Sequence, residues 1–584
     1  MLELLVKYAR DHLPPTKVGF KPKTVRWLLV FNEHGHFEDV LPLGDASQKK
    51  NPGRTFDDSP EFSFAEMKAG GVTKSNFLVD TAAVVTLLDT DPADSKIKAK
   101  HEFFTQLLRK ASGPMPVLAK AAQSLEDERE LRRMRARLQA LKVKPNEKVT
   151  IRIGDTTPLE SNAWHEWWAQ SRTRLAGVQV AKRDSGRNMR CFVTGEVVSP
   201  VSAFPKVEGL TDVGGISMGT VLVSFDKDAF TSYGLEQSAN AAVSSEAAAA
   251  SRAGLNDLIR NHSQRLAGTR VVHWFKKKVR SEDDPLPWLE EGAETEERNA
   301  QHKAKELLQS IADGKRHGLG DNRFYALSLS GSGGRVMVRD WMDGPFEELV
   351  ANVGCWFEDL SVVHQEGGRP APDPSFMRVL RSTVRKPKEG DRDRYLPAPF
   401  VTKMWRVAVR REPIPQTALA QALARVKVDI IEDQPFNHAR MGLMKAYHVR
   451  QDRMKGMKNP NMKPYLNEEH PSPAYHCGRL MAVLAKLQQA ALGDVGAGVV
   501  QRYYAAASAT PALVLGRLTR NGQFHLNKLE HGLAHWYEER IGEISGRFKD
   551  SIPVTLSLEE QSLFALGYYQ QWVELRTKKS EDKK

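Results

Sequence analysis

The rhythm of apolar positions changes several times along this chain, and each change marks a predicted element. Residues 24–31 (TVRWLLVF) form a dense apolar run that predicts a strand; residues 32–36 (NEHGH) supply a turn, and residues 37–41 return as a second strand. Residues 77–88 begin extended and end with helical spacing. From 94 to 141 the period is helical, with Glu102, Phe103 and Phe104 followed one turn later by Leu107 and Leu108. Residues 126–135 (EDERELRRMR) mix both signs at i, i+4 spacing, which is the pattern of a solvated helix face. Strand character resumes at 149–153, and Trp164, Trp167 and Trp168 follow in a predicted helix as core or an interdomain contact.

A second β-rich region spans 189–230, with strands at 190–194 and 220–225. An alanine-rich helix follows Ser244, a candidate N-cap, and runs to about Arg260. Residues 271–275 read as a strand, 285–320 as an acidic patch and then a helix. Residues 324–330 and 335–341 are paired strands around Gly331-Ser332-Gly333-Gly334. The Pro, Gly and Arg of 367–394 suggest a linker or mobile basic loop, and 455–473 is a second breaker-rich segment. Beyond Ala474 the pattern is helical, with Leu480, Val483, Leu484 and Leu487 on one stripe and a closing helix near 562–575. The fold class expected is α+β: an N-terminal mixed domain (1–394) with two β-rich portions, then a C-terminal helical bundle (395–584).

Composition narrows the function. At 584 residues the chain exceeds one ordinary core, and 41% hydrophobic with 27% charged residues is a folding composition. No apolar run reaches 18 residues, and the short apolar start at Met1 to Leu5 has no cleavage signature, so neither a membrane span nor secretion is expected. Cys191, Cys355 and Cys477 stand far apart and form no CxxC pair, as in a reduced cytosolic protein. The net charge of +13 with a pI near 9.4 points to a polyanionic partner. Roughly twenty Lys and Arg against about nine Asp and Glu crowd residues 369–458.

Catalytic signatures are missing: there is no GxxxxGK[ST], HExxH, GxSxG or zinc-type Cys/His spacing. Gly331 to Gly334 lies between strands with no helix after it, so it reads as a hairpin turn and not a phosphate cradle. Two segments combine polar side chains with backbone freedom. In the first, Gly70-Gly71 precedes Thr73, Lys74, Ser75 and Asn76, so that the backbone can approach a duplex while Lys and Asn reach base acceptors. The simpler reading is an ordinary loop leading into a strand. In the second, residues 232–244 (SYGLEQSANAAVS) place Gln237 and Asn240 ahead of the alanine-rich helix, where an exposed Gln could wedge a duplex end or simply sit in a capped turn.

Six collinear blocks then carry a resemblance. Residues 25–45 (VRWLLVFNEHGHFEDVLPLGD), 191–196 (CFVTGE), 224–244 (SFDKDAFTSYGLEQSANAAVS), 322–341 (NRFYALSLSGSGGRVMVRDW), 477–489 (CGRLMAVLAKLQQ) and 561–570 (QSLFALGYYQ) closely resemble the large subunit of the subtype I-C CRISPR surveillance complex, Cascade. The resemblance implies a non-catalytic cytoplasmic prokaryotic protein without cofactor. Such a subunit sits beside the crRNA-bound backbone and its 5′-handle-binding subunit. It recognises a protospacer-adjacent motif (PAM) in double-stranded DNA, opens the strands, stabilises the R-loop and helps recruit a helicase–nuclease. Mapped onto this chain, Lys74 and Asn76 with Thr73 and Ser75 are the first candidates for the motif, and Gln237 and Asn240 the second. Lys276, Lys277, Lys278, Arg381, Arg385 and Lys386 are candidates for phosphates. Trp274 and Phe275 beside the lysine run fit a stacking groove, although buried strand aromatics are the simpler reading. About 457–584 resembles the Cascade small subunit, of which further copies are expected as partners, and Met454, Met457 and Met462 are candidate internal starts. Two readings compete: a nuclease with a cryptic metal site, for instance His438 with Asp429 and Asp433, and a scaffold whose basic charge faces crRNA.

Overall fold

The computed structural model describes the chain except residues 16–17, 45–51, 63–65, 68, 92, 176–187, 199, 202, 226, 232, 236, 292–299, 388–389, 432–435, 494–497, 549–550 and 582–584. Its architecture is α+β, and its helices dominate toward the C-terminus. Two compact units emerge. One comprises residues 1–211, 215–260 and 332–336; the other comprises 212–214, 261–331 and 337–584. The boundary expected near 394 therefore falls inside the second unit.

In the first unit, residues 24–31 are split in two. Phe20–Val25 pairs antiparallel with Arg54–Pro60, while Trp27–Phe31, buried throughout, is central in a four-stranded sheet. The break falls at Arg26, whose N–H turns to the Lys148 carbonyl. The sheet order is Phe37–Pro42, Trp27–Phe31, Lys148–Ile153, Asp80–Thr81, parallel only at the Trp27–Phe31/Lys148–Ile153 pair. A parallel pair needs a crossover, and helices Ser95–Lys110, Val117–Glu126 and Glu128–Ala140 lie in that connection, where helical spacing was expected. The mixed-charge run is solvated, with Glu128–Arg132 and Glu130–Arg133 pairs along the helix. Trp164 and Trp168 are fully buried in this core, around Phe77. The helix Leu2–His12, with Leu5 and Val6 buried, was not anticipated from the sequence.

The β-rich reading of 189–230 is only thinly realised: the strands are Met189–Arg190, Val197–Val198, Lys206–Val207 and Thr220–Val221. Expected strand 190–194 becomes a turn at Cys191, where Gly195, at φ +75°, returns its N–H to the Cys191 carbonyl. The alanine-rich helix is Ser245–Asn261, and Ser244 Oγ accepts the Ala247 N–H at 3.1 Å, as expected of an N-cap.

The second unit joins strands Ser263–Leu266, Thr269–Phe275 and the greater part of Arg323–Ser332 and Arg335–Pro345 to a set of helices through one continuous core. Gly333 and Gly334, both at positive φ, make the hairpin turn between the last two strands. The supposed linker 367–394 contains the helix Phe376–Ser382, whose Phe376, Val379 and Leu380 enter that core at i, i+3, i+4 spacing. Residues 455–473 are likewise tied in: Met462 is buried, and the Val363 N–H donates to the Pro464 carbonyl at 2.8 Å. Helix His438–Met454 is buried on every side over its first three turns. Helices Pro473–Leu492 and Leu558–Glu581 pack closely against one another.

Candidate nucleic-acid interface

The segment after Gly70 is shaped by two successive left-handed residues, Gly70 (φ +66°) and Gly71 (φ +64°), and a Cβ on Gly71 would meet nothing within 4 Å. The chain then dives into the core at Phe77, Leu78 and Val79. Between these points the side chains divide. Thr73 and Asn76 are half-buried; Lys74 is 3% exposed and Ser75 is 1% exposed. Lys74 and Ser75 thus face inward, where the sequence reading had turned them to a groove. The inward bend at the glycines and the apolar anchor at Phe77 leave the backbone of residues 70–72 as the outermost part. Burial lowers the Lys74 pKa, and its Nζ donates to the Val72 carbonyl at 3.4 Å. Asn76 is clamped by Asp80, whose Oδ2 accepts both its backbone N–H (2.8 Å) and its Nδ2 (3.2 Å).

In the second segment the Gln237 side chain lies outside the described residues, as do Ser232 and Glu236. Asn240 is half-buried, and its Nδ2 donates to the Leu235 carbonyl at 3.2 Å. That bond closes the short 3-10 turn Gln237–Ala241, and Ser238 is buried beneath it. In sequence, residues 224–236 carry Asp226, Asp228 and Glu236 against Lys227; the side chains of these three acids lie outside the described residues. The Cys191 turn stands at the foot of this loop. Burial would raise the Cys191 thiol, but the Thr194 hydroxyl and the N–H groups of Thr194, Ser244 and Val193 at the sulfur outweigh it and hold its pKa below the usual range.

The phosphate candidates are outward. Lys276, Lys277 and Lys278 are exposed where strand Thr269–Phe275 ends, with Lys277 paired to Asp321 at 2.6 Å. Arg381 is engaged by Asp393 through two bonds of 2.7 and 2.8 Å, which leaves it less to offer a phosphate. Arg385 and Lys386 are exposed and, among the described residues, have no side-chain partner. Trp274 is 5% exposed and lies in an aromatic row with Tyr325 and Trp341, and Phe275 packs on Phe346, so both behave as strand aromatics.

Two members of the metal-site grouping are engaged separately. Asp429 is held between Arg425 and Arg440, while His438 Nε2 accepts the Gln365 N–H at 3.1 Å beside His364; Asp433 lies outside the described residues. Among the described residues, no three of His, Cys, Asp and Glu converge as a metal set. No helix among them is long and apolar enough to cross a membrane.

Compared with known families, residues 4–576 match the model of a CRISPR-associated protein family, Cas_Csd1. The chain belongs to this family. Membership of Cas_Csd1 makes it a CRISPR-associated protein of the Cascade type, one that acts within a multi-subunit complex. A search of curated proteins returned no match. The sequence reading passed over one exposed group on this Cas_Csd1 chain, Tyr233, which stands 96% exposed before Gly234. Gly234 marked a turn, but nothing in the sequence signalled Tyr233 itself, because a bulky residue at positive φ is an outlier.

Proposed function

We propose that this chain is the large subunit of a subtype I-C Cascade, a non-catalytic protein of the prokaryotic cytoplasm that reads the PAM in duplex DNA. It opens the duplex there, stabilises the R-loop and helps recruit the helicase–nuclease. Its partners are the crRNA-bound backbone, including the 5′-handle-binding subunit, and small-subunit copies. The observation that carries the reading is the double left-handed turn at Gly70-Gly71 in a member of this family. It leaves bare backbone outermost, with the half-buried Thr73 and Asn76 close behind in sequence. Backbone without a Cβ can approach a groove closely, and the Asn76 amide, with one N–H held by Asp80, keeps its oxygen and its second N–H for base edges. Lys276, Lys278, Arg385 and Lys386 supply sequence-independent attraction. The acidic balance of residues 224–236 makes Gln237 and Asn240 the weaker motif candidates.

The test is binding of the reconstituted crRNA complex to duplexes with the flanking motif intact or scrambled. Wild type is compared with Thr73→Ala/Asn76→Ala, Lys74→Ala/Asn76→Ala and Gln237→Ala/Asn240→Ala. The expected result is loss of motif discrimination in the first two, with binding to single-stranded target preserved. Discrimination that survives in all three places recognition elsewhere. Duplex binding that never requires this chain overturns the function.

A further inference from the structure

Three helices of the second unit enclose a pocket that none of the DNA candidates lines. Leu484 and Gln488 come from Pro473–Leu492 at i, i+4 spacing, and Val499, Arg502 and Tyr503 from Val499–Ala507 at i, i+3, i+4. Helix Pro511–Leu526 closes it with a stripe at i, i+3, i+4, i+7: Leu518, Asn521, Gly522 and His525. Gly522 puts no side chain into the middle of that stripe, and a Cβ there would meet only Leu484 and Leu487, at 3.5 Å. The cavity left between the helices measures about 150 Å³, room for roughly five waters or one molecule of benzene's size.

The walls divide by chemistry. Leu484, Val499 and Leu518 are buried and apolar. The polar groups are donors that the fold leaves over. Gln488 Oε1 accepts the Val499 N–H at 2.8 Å, so its Nε2 remains for the cavity. Among the described residues, the side chains of Arg502, Tyr503 and Asn521 have no hydrogen bond or ion pair. His525 Nδ1 is shut off from water and has no hydrogen-bond partner there either, a cost to stability unless something in the cavity meets it. Burial, and then the charge of Lys528, lower the His525 pKa, so the ring is neutral at pH 7 and can present an N–H. Of the described residues lining the cavity, none is a carboxylate of the kind a metal cation needs, and Arg502 carries the charge. We propose that this pocket binds a small oxyanion, a phosphate or a carboxylate with at most a few carbons, held by Arg502 with His525, Asn521 and Tyr503 as further donors. A nucleotide is far larger than benzene, so the ligand is a free small anion and not a stretch of DNA or crRNA.

The experiment melts the full-length chain at fixed pH and ionic strength while sodium chloride is replaced by inorganic phosphate, and in a second series by acetate. Wild type is compared with Arg502→Gln and His525→Leu. In chloride alone both variants should melt with wild type, since neither removes a hydrogen bond made within the described residues. Arg502 is exposed, so its variant carries the test even if His525→Leu melts early. The expected result is a melting temperature that rises and saturates with one of the two anions, with a dissociation constant about tenfold or more weaker in each variant. Phosphate alone acting identifies a tetrahedral ligand, and acetate acting identifies a carboxylate. Phosphate stabilises folded proteins in general, so a rise that both variants share overturns the proposal, as does no rise with either anion. A single-stranded oligonucleotide that raises the melting temperature of wild type but of neither variant, where both small anions fail, assigns the pocket to a nucleic-acid strand and also overturns it.

Discussion

At the scale of single residues, the second unit is distinguished by ionisable groups held away from water. Burial pushes His448 down to about 4 and His470 down to about 3, and lowers His438 and His476 as well. His470 Nδ1 accepts the Ser472 N–H at 3.1 Å and His438 Nε2 accepts the Gln365 N–H at 3.1 Å, bonds that require an unprotonated ring nitrogen. His448 Nε2 meets Ser562 Oγ at 2.6 Å; at His476 burial outweighs the Nε2–H bond to the His470 carbonyl, which favours the charged ring. The folded state therefore refuses protons that the unfolded chain accepts below pH 6.5. Stability is fully present above that value and lost as pH falls through it. By pH 5 the loss is about 2 kcal/mol for each of His448 and His470. Urea midpoints measured between pH 7 and 5 should drop steeply, and His448→Gln should flatten the slope by about one proton. Asp359 works in the opposite sense, as a buried charge that is needed. Its carboxylate receives Arg450 Nε at 2.9 Å and Arg453, and Lys445 donates to its backbone carbonyl. Asp359→Asn strands two guanidiniums and should cost about 3–5 kcal/mol, read as a shift in the same urea midpoint. None of this was legible beforehand, because burial of His448 or Asp359 depends on helices that meet only in three dimensions.

At the scale of elements, helices Pro473–Leu492 and Leu558–Glu581 approach closely enough that glycine is required on both. A Cβ on Gly478 would strike the Phe564 carbonyl, and one on Gly567 would strike the Tyr475 carbonyl. Gly478→Ala and Gly567→Ala should each destabilise by about 1–3 kcal/mol or more through overpacking. Gly522, in helix Pro511–Leu526, is the control: a Cβ there would sit 3.5 Å from Leu484 and Leu487, ordinary contact. Gly522→Ala should be neutral or stabilise by up to about 1 kcal/mol, because alanine restricts the unfolded chain. Thermal melts of the three variants decide the ordering. Element type was readable where periodicity was strong, as in 94–141 and beyond 474, and so was the Ser244 cap. Periodicity failed where local chemistry overruled it. Residues 190–194 looked extended, yet the Cys191 turn claimed them, and the prolines of 367–394 concealed a helix whose only signal was Phe376, Val379 and Leu380. Lys74 failed for a related reason: the glycines before it bend the chain inward, and only the fold shows which way a bend goes.

At the scale of the whole molecule, the distribution of charge and not its total decides what the chain holds. The sum of +13 is compatible with any polyanion, but the candidate phosphate cations differ in whether a carboxylate already holds them. Arg381 and Lys277 are already paired to Asp393 and Asp321, whereas Arg385 and Lys386 have no side-chain partner among the described residues and Lys276 and Lys278 are outward. A cation already held by a carboxylate releases fewer counterions on meeting a phosphate, so the two classes should differ in salt dependence as well as in affinity. Duplex binding by the assembled complex, measured from about 50 to 200 mM salt, should follow a straight line in log K against log salt. Lys276→Ala/Lys278→Ala and Arg385→Ala/Lys386→Ala should each flatten that line by about one to two units while leaving motif discrimination intact, since phosphate contacts carry no sequence information. Arg381→Ala should change the slope little and instead release Asp393, loosening the turn Arg392–Tyr395 that it braces. An unchanged slope in both double variants would assign the basic surface to crRNA or to protein, and the route of the displaced strand would then have to be sought on other partners in the complex.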